Sequence, residues 1–161
     1  MVEDVVQELG YLALGSRLKR IGERLQGQAQ VLLEEEGIGL SAAYCPLLAA
    51  LDRLGPLSVG ELAEAVGVSQ PGVTRVLERL ESAGLVKSNP PRRDRRIRPV
   101  GLTRAGRELI SRARQVAWPR IEAAVADACA GAAGPLLAQL ATLEEALLTT
   151  PLKLRAGRAA W

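Results

Sequence analysis

The sequence contains no histidine, no phenylalanine and only two cysteines among its 161 residues. Without histidine, the commonest general base and every Ser-His or Cys-His nucleophile pair are absent. The cysteines, Cys45 and Cys129, are 84 positions apart and have no partner at metal-ligand spacing, which excludes zinc sites built from Cys/His clusters. We therefore expect a protein that is not an enzyme and that has no metal or cofactor.

Long apolar runs and aromatic side chains are scarce as well. No apolar run reaches the roughly 18 residues needed to span a bilayer, and the acidic N-terminus lacks the basic region of a secretory signal. We therefore expect a cytoplasmic protein without membrane contact. The two Trp and two Tyr residues are too few to predict a surface that stacks single-stranded nucleic acid.

Charge is distributed unevenly along the chain. Residues 1–80 carry 7 Lys/Arg against 11 Asp/Glu, whereas residues 81–161 carry 14 against 7. Residues 75–120 alone contain 13 basic and 4 acidic side chains. Such a basic field suits a polyanionic partner such as duplex nucleic acid, whose counterions are released on binding. A basic face that is merely solvated is the commoner cause of such a charge run. The positions of the basic residues in the predicted elements must therefore distinguish it from a nucleic-acid-binding surface.

Apolar residues recur every three or four positions through most of the chain, which is typical of amphipathic helices. The first helix is predicted over residues 5–36 and is ended by Gly37. Ser41 is the candidate N-cap of a second helix that runs to Leu54. Pro46 lies in the second turn of that helix, where it is expected to shift the start or to kink the helix.

Two short helices joined by a glycine turn follow. Ser58, with Glu61 three residues later, predicts a capping box for the first of them, and Ser69 is the N-cap of the second. Gly67 between them supplies the positive φ that a tight turn needs. This pattern favours a helix-turn-helix, although an ordinary corner between two helices shares some of these features.

The second of these helices has one apolar and one polar face. Its apolar positions are Val73, Val76, Leu77 and Leu80. If that face is buried, the helical period turns the other side chains outward, where Gln pairs with adenine, Arg pairs with guanine and the helix N-terminus holds a phosphate. The candidate DNA-binding residues are Ser69, Gln70, Pro71, Thr74, Arg75 and Arg79. Glu78 shares this face, and we expect it to pair with Arg75 or Arg79 or to lie off the DNA.

A short β-hairpin follows the second helix. Residues 85–88 and 97–101 are predicted strands around a turn, and a last helical pattern begins at the N-cap Thr103. Residues 92–98 contain five arginines. A two-stranded wing with arginine at its tip fits the narrow minor groove, and its candidate DNA-binding residues are Arg93, Asp94, Arg95 and Arg96.

Four motifs occur in order along this region. They are Val73-Thr74-Arg75, Leu80-Glu81-Ser82-Ala83-Gly84-Leu85-Val86, Asp94-Arg95-Arg96 and Leu102-Thr103-Arg104-Ala105-Gly106. Together they resemble the signature of the MarR family of bacterial transcriptional regulators, over most of the chain. The resemblance implies a homodimer of winged helix-turn-helix subunits whose N- and C-terminal helices form the dimer interface. It also implies that Asp94 orients Arg96 of the wing tip toward the minor groove.

The predicted fold class is mostly α with a small β-hairpin wing. We expect residues 1–38 to form an N-terminal dimerisation helix, 39–102 the winged helix-turn-helix DNA-binding region, 103–150 the C-terminal dimerisation helices, and 151–161 a tail. The terminal helices carry more apolar surface than a winged domain can cover, so they need a partner. A two-fold dimer presents two recognition helices to a pseudo-palindromic operator.

These features predict a transcriptional regulator that binds double-stranded DNA with sequence specificity. We expect it to be a homodimeric repressor. A small aromatic or anionic effector, bound in the cleft between the dimer and DNA-binding regions, is expected to relieve the repression. A thiol-based oxidant sensor is an alternative, because Cys45 lies near a helix start, although its apolar neighbours favour a buried, inert thiol. A winged-helix module that binds protein and not DNA is a further alternative, disfavoured by the arginine-rich wing.

Asp94→Ala should weaken DNA binding although it removes a negative charge from the interface. Electrostatics alone predicts tighter binding. Asp94 is instead expected to order Arg96 before DNA arrives, and without that order the Arg96 side chain loses rotamer freedom on binding, at about 0.5–1.5 kcal/mol. The measurement compares DNA affinities of the wild type, both single variants to alanine and the double variant at one salt concentration, with folding checked separately. Equal or tighter binding by Asp94→Ala would reduce Asp94 to a turn residue.

Overall fold

The computed structural model describes residues 2–89 and 98–156. The predicted wing-tip residues Arg93, Asp94, Arg95 and Arg96 therefore lie outside the described residues. The chain separates into two compact units, residues 1–122 and 123–161, and each unit is considered by itself. The described residues are mostly helical with one β-hairpin, which confirms the predicted fold class.

The helices and strands follow one another in a simple order. In the first half of the chain they are α1 (Val5–Glu8), a 3₁₀ turn (Gly10–Ala13), α2 (Leu14–Glu35), a second 3₁₀ turn (Ala42–Tyr44), α3 (Cys45–Leu54), α4 (Val59–Val66) and α5 (Gln70–Ser82). The later elements are β1 (Val86–Ser88), β2 (Val100–Leu102), α6 (Arg104–Arg112), a π-helical segment (Ala113–Ala117), α7 (Trp118–Cys129), α8 (Leu136–Thr149) and α9 (Leu152–Ala156).

The N-terminal helix is interrupted earlier than predicted. Gly10 adopts a positive φ of 53° and, with the 3₁₀ turn that starts there, separates α1 from α2, so the expectation of one helix over residues 5–36 is wrong. Gly22 and Gly27, in contrast, lie within a continuous α2. The predicted end of the helix is confirmed, because Gly37 takes a φ of 64°, the left-handed conformation that ends many helices.

The start of α3 also differs from the prediction. The side chain of Ser41 makes no capping hydrogen bond, and the N–H of Ala42 donates instead to Oε1 of Gln30 at 2.8 Å. The α-helix begins at Cys45 with Pro46 in its first turn, where the missing N–H of proline is tolerated. The expected cap at Ser41 is therefore wrong, and the expected shift of the helix start by Pro46 is confirmed.

The local signals around the helix-turn-helix are confirmed. Ser58 Oγ accepts from the N–H of Glu61 at 3.2 Å, while the Glu61 carboxylate accepts from the N–H of Ser58 at 2.7 Å. Gly67 takes a φ of 66° at the turn. Ser69 caps α5 by accepting from the N–H of Gly72 at 3.4 Å. These caps fix where α4 ends and where α5 begins.

One apolar core joins these helices to the hairpin and to α6. Its fully buried large side chains are Leu33, Ile38, Leu48, Leu62, Leu80, Ile110 and Val73. Leu33 is the buried residue of α2, so the core anchors the C-terminal end of that long helix. At the same end, Arg120 pairs with Glu35 and Glu36, and Arg112 donates to the carbonyl of Glu36 at 2.7 Å.

Thr103 connects the hairpin to the helices on both sides of it. Its Oγ1 accepts from the N–H of Gly106 at 3.0 Å and donates to the carbonyl of Gly84 at 2.7 Å. Its own N–H donates to the carbonyl of Leu85 at 3.0 Å. Gly106 packs against the same carbonyl so closely that a Cβ there would lie 2.1 Å from the oxygen. The predicted cap is confirmed, and it joins two of the sequence motifs in space.

The hairpin pairs with one further residue, Leu57, outside its two strands. Val86 pairs with Leu102 in the antiparallel register of β1 and β2. On the other edge of β2, Leu57 and Val100 exchange two backbone hydrogen bonds of 3.0 and 2.7 Å. The N–H of Asn89 donates to the carbonyl of Pro99 at 2.7 Å, at the outer end of the described hairpin. The base of the wing is thus held from both sides.

The helical region that follows Thr103 does not keep the α-helical hydrogen-bond pattern throughout. The π-helical segment (Ala113–Ala117) lies immediately before Trp118 and Pro119. Proline has no N–H to donate to the preceding turn, and π-helical turns take up such local irregularities. Ala113 and Ala117 are fully buried in this segment, so the chain passes close to the core there.

Gly106→Ala should destabilise the protein by about 1–3 kcal/mol, the usual range for overpacking. The reason is the collision between the new Cβ and the Leu85 carbonyl, which is backbone and cannot rotate away. The matched control is Gly27→Ala in α2, where a Cβ meets nothing within 4 Å and the variant should gain about 0.5–1 kcal/mol. Urea unfolding measures both free energies. A Gly106→Ala protein as stable as the wild type would contradict this packing.

Candidate nucleic-acid interface

The polar face of α5 is exposed, as predicted. Val73, Leu77 and Leu80 are buried and Val76 is half-buried. The six candidates of this region are all exposed: Ser69, Gln70, Pro71, Thr74, Arg75 and Arg79. The structure therefore brings them together along the N-cap and one face of a single helix.

The first turn of α5 offers polar groups close to one another. The side chain of Gln70 leans toward α4, with its Nε2 at 3.6 Å from the position that a Cβ on Gly60 would occupy. Thr74 Oγ1 donates to the carbonyl of Gln70 at 3.0 Å. The hydroxyl hydrogen of Thr74 is thus used within the helix, and Thr74 offers a ligand its acceptor oxygen and its methyl group. Both features suit the edge of a base pair.

The two arginines of α5 have different surroundings. Arg79 Nη1 donates to the hydroxyl of Tyr44 at 2.9 Å, and this hydrogen bond raises the pKa of the Arg79 guanidinium. Arg75 is exposed, and among the described residues no ion pair engages it. Glu78 forms no ion pair with either arginine in the described part of the chain. The expected ion pair of Glu78 is thus not found, and Arg79 donates to Tyr44; the alternative expectation, that Glu78 lies off the DNA, stays a prediction.

Tyr44 is the residue of this surface that the sequence did not predict. It lies 35 positions before Arg79, in the 3₁₀ turn that precedes α3. Its ring is half-buried and packs against the core, while its hydroxyl reaches Arg79 of α5. Spacing along one helix cannot reveal a contact between two elements. The sequence offers a single indication that Tyr44 belongs to this surface. Tyr44 is one of two tyrosines in the chain, and it lies just before a helix of the predicted DNA-binding region.

The base of the wing adds basic side chains. Lys87 in β1 and Arg98 just before β2 are both exposed. Arg107 of α6 donates from Nη1 to the carbonyl of Leu102 at 2.9 Å, which fixes that guanidinium against the end of β2. The described part of the hairpin is therefore basic up to the point where the wing-tip candidates begin.

A small apolar cleft lies between α2, the start of α3 and the helix-turn-helix. Its volume is about 210 Å³, and its lining residues are Gln26, Ala43, Pro46, Leu47, Val66, Val68, Val73 and Val76. Gln26 is the polar residue of this set. Val68, which lies 48% exposed in the turn, forms part of its rim. No charged side chain lines the cleft, so it suits a small apolar group better than an ion.

Cys45 is half-buried at the start of α3. Burial raises the pKa of its thiol, and a smaller effect of the Trp118 indole N–H acts in the opposite direction. That indole Nε1 is buried and makes no hydrogen bond of normal geometry, so its effect on the sulfur is weak. The Cys45 thiol also lies 3.9 Å from the carbonyl of Ser41. These surroundings favour the protonated thiol.

The described residues contain neither a cluster of metal ligands nor a helix that could span a membrane. Among residues 2–89 and 98–156, no three Cys, Asp or Glu side chains come together as a metal site requires. In the same ranges, no helix combines the length and apolar character needed to cross a membrane.

Comparisons with known proteins give one consistent answer. A model of the MarR family matches residues 38–97. The chain is 38% identical over 77 residues to the transcriptional activatory protein BadR of Rhodopseudomonas palustris, which is 46% of this chain and 44% of BadR. It is 30% identical over 89 residues to the transcriptional repressor MdtR of Bacillus subtilis, which is 55% of this chain and 56% of MdtR. The chain thus spans about half the length of the curated relatives it matches.

A solved structure extends the similarity over nearly the whole fold. The transcriptional repressor CouR, bound to a 23-mer DNA duplex, has a TM-score of 0.67 and 27% identity, over 84% of this chain and 96% of CouR. Together these matches confirm the resemblance to the MarR family and the winged-helix fold. The named relatives are transcriptional regulators and not enzymes, which agrees with the prediction from the missing histidine.

Alkylation of Cys45 should keep accelerating with pH beyond about 8.5, the ordinary pKa of a free thiol. The raised pKa keeps the folded thiol protonated, whereas the unfolded chain ionises first, so folding stability should fall as pH rises past the unfolded pKa. Iodoacetamide kinetics on a Cys129→Ser variant isolate Cys45, and Cys45→Ser reports Cys129 for comparison. A rate plateau at neutral pH would identify an activated thiolate and support the oxidant-sensing alternative.

Proposed function

We propose that the chain is a regulator of the MarR family, which its matches to that family's model and to regulators of transcription support, and that it regulates transcription as a homodimer that binds a pseudo-palindromic DNA site with sequence specificity. The observation that carries this proposal is the exposed face of α5. Polar and basic side chains with hydrogen-bonding groups suited to base edges extend from Ser69 to Arg79, next to a capped helix N-terminus. This is the composition of a helix that enters a major groove.

In this proposal α5 is the recognition helix, and its residues and those of the wing contact different parts of the DNA. The N-terminal residues of such a helix reach base edges, so Gln70, Thr74 and Arg75 read sequence, and Arg75 is the candidate for a bidentate contact to guanine. Ser69 Oγ and the backbone N–H of Gln70 hold a phosphate, since Pro71 has no N–H and the N–H of Gly72 donates to Ser69. The wing residues Arg93, Asp94, Arg95 and Arg96 remain proposed minor-groove contacts.

Dimerisation is supported by apolar surface that a single chain leaves exposed. In the N-terminal segment the exposed apolar residues are Leu9, Leu12, Leu18, Ile21, Leu25 and Val31, and in residues 123–161 they are Leu137, Leu147, Leu148, Leu152 and Leu154. Large apolar side chains exposed in such number mark an interaction surface in soluble proteins. A second copy of the chain, with its helices paired across a two-fold axis, would cover it. Analytical ultracentrifugation should find a dimer at micromolar concentration.

We further propose that the dimer is a repressor relieved by a small effector in the apolar cleft of about 210 Å³. The volume lies below the roughly 300 Å³ typical of drug-sized ligands, and the lining has no cationic side chain. The effector that fits is therefore small and apolar or aromatic, whereas an anionic one lacks a counter-charge. Since Val73 and Val76 of the recognition helix line the cleft, a ligand there would press on the element that contacts DNA.

The two alternatives are less well supported. The raised pKa of Cys45 leaves little thiolate to react with an oxidant. A protein-binding module without DNA contact does not require the basic side chains Arg75, Arg79, Lys87 and Arg98, which are exposed on α5 and at the base of the wing.

The experiment that tests the proposed function is capture of genomic DNA fragments by the purified protein, followed by a salt titration on an enriched fragment. Two wings and two recognition helices neutralise several phosphates, and each neutralised phosphate contributes about −0.9 to the slope of log affinity against log salt. We expect a steep slope and enrichment of a few fragments. An affinity that is flat between low and physiological salt would overturn the proposal.

Arg75→Ala should relax base preference and lower affinity for the enriched site by about 1–3 kcal/mol, because a bidentate contact to guanine is lost. Affinity for random-sequence duplex should change much less. The matched control is Arg53→Ala, which removes an exposed arginine at the C-terminal end of α3 and should leave both affinities near the wild type. Equal weakening on the two duplexes would make Arg75 a phosphate contact.

A further inference from the structure

We propose that Tyr44 is a positioning residue, which holds Arg79 of the recognition helix in place as a contact to the DNA phosphate backbone. This inference rests on the proposed DNA-binding function. It adds a residue from outside the helix-turn-helix to the interface, and it separates Arg79 from the residues that read bases.

The hydrogen bond between Tyr44 and Arg79 links two elements that are otherwise distant in sequence. The donor is Nη1 of Arg79, the acceptor is the phenolic oxygen, and the distance is 2.9 Å. Arg79 is exposed, so its side chain would otherwise sample several rotamers. The ring of Tyr44 is half-buried against the core and has few rotatable bonds. The Tyr44 side chain, which has little freedom, therefore restrains the more flexible side chain of Arg79.

The position of Arg79 favours a phosphate over a base. Arg79 lies nine residues after Gln70, which at 1.5 Å per residue is about 13 Å along the helix axis. The residues near the N-terminus of a recognition helix are those that reach base edges. Tyr44 in addition holds the guanidinium at the 3₁₀ turn before α3.

Tyr44 and Arg79 together retain hydrogen-bond donors that can bind a phosphate. A guanidinium has five N–H groups and Tyr44 accepts from one nitrogen, so the remaining groups can reach a phosphate oxygen. The phenolic O–H of Tyr44 is a further donor on the same spot. A phosphate contact of this kind fixes the register of the protein on the duplex and carries no sequence information.

Tyr44→Phe tests the inference with little risk to folding, because only the hydroxyl is removed and the ring stays in the core. Affinities are measured on a random-sequence duplex and on an enriched genomic duplex. Loss of a preordered side chain should weaken binding about two- to tenfold, equally on both duplexes. The salt slope should stay near that of the wild type, because the charge of Arg79 remains, whereas Arg79→Ala should also lower the slope. Arg53→Ala, which removes an exposed arginine of α3, is the control for Arg79→Ala.

A double-variant cycle shows whether Tyr44 acts through Arg79. In an Arg79→Ala background, Tyr44→Phe should have no further effect on affinity. Binding by Tyr44→Phe as tight as the wild type would overturn the inference. The same loss with and without Arg79 would also overturn it, since Tyr44 would then contact DNA by itself.

A readout without DNA separates this inference from the proposed function. In the free protein, the guanidinium N–H signals of Arg79 should exchange more slowly with water in the wild type than in Tyr44→Phe. Equal exchange in the two proteins overturns the positioning role even where DNA binding is intact. Slow exchange in a wild type that binds no duplex would have a different meaning. It would support the hydrogen bond between Tyr44 and Arg79, but it would overturn the proposed DNA-binding function and therefore also the phosphate contact.

Discussion

The contact between Gly106 and the carbonyl of Leu85 is the constraint on which the rest of the winged region depends. That carbonyl also accepts from the N–H of Thr103, and the hydroxyl of Thr103 binds the carbonyl of Gly84. The end of the recognition helix, the first strand and the start of α6 are therefore fixed to one another within a few ångströms. Any side chain larger than hydrogen at position 106 would move α6 away from the hairpin and shift the wing relative to the recognition helix.

The exposed face of α5 has its functional meaning only because its opposite face is fixed in the core. Val73, Leu77 and Leu80 are buried there, and Ser69 sets the first turn. The side chains proposed to read DNA consequently project from a rigid helix, which limits the entropy lost on binding. Arg79, farther along, donates a hydrogen bond to Tyr44 on another element, so one face combines the end proposed to read bases and the end proposed to bind the DNA backbone.

The local signals in the sequence predicted most of this architecture. Ser58 with Glu61, Gly67, Ser69 and Thr103 each specify a helix end through their own backbone or a neighbour three residues away, and all of them behave as predicted. Interactions between distant elements were not predictable in this way. Gln30 accepts from the N–H of Ala42, next to the expected cap Ser41, and Tyr44 accepts from Arg79, one of the two arginines considered as partners of Glu78. Tertiary packing brings these partners together.

Hydroxyl-radical footprinting on an enriched genomic fragment tests the central claim most directly, since it maps where the protein touches the duplex without altering the protein. A dimer with two recognition helices and two wings should protect two segments on one face of the DNA, with centres about 10 bp apart or a multiple of that distance. Each segment should include minor-groove protection beside the major-groove contact, where a wing lies. A single protected segment, or uniform protection without phase, would contradict a two-fold winged-helix reader of DNA sequence.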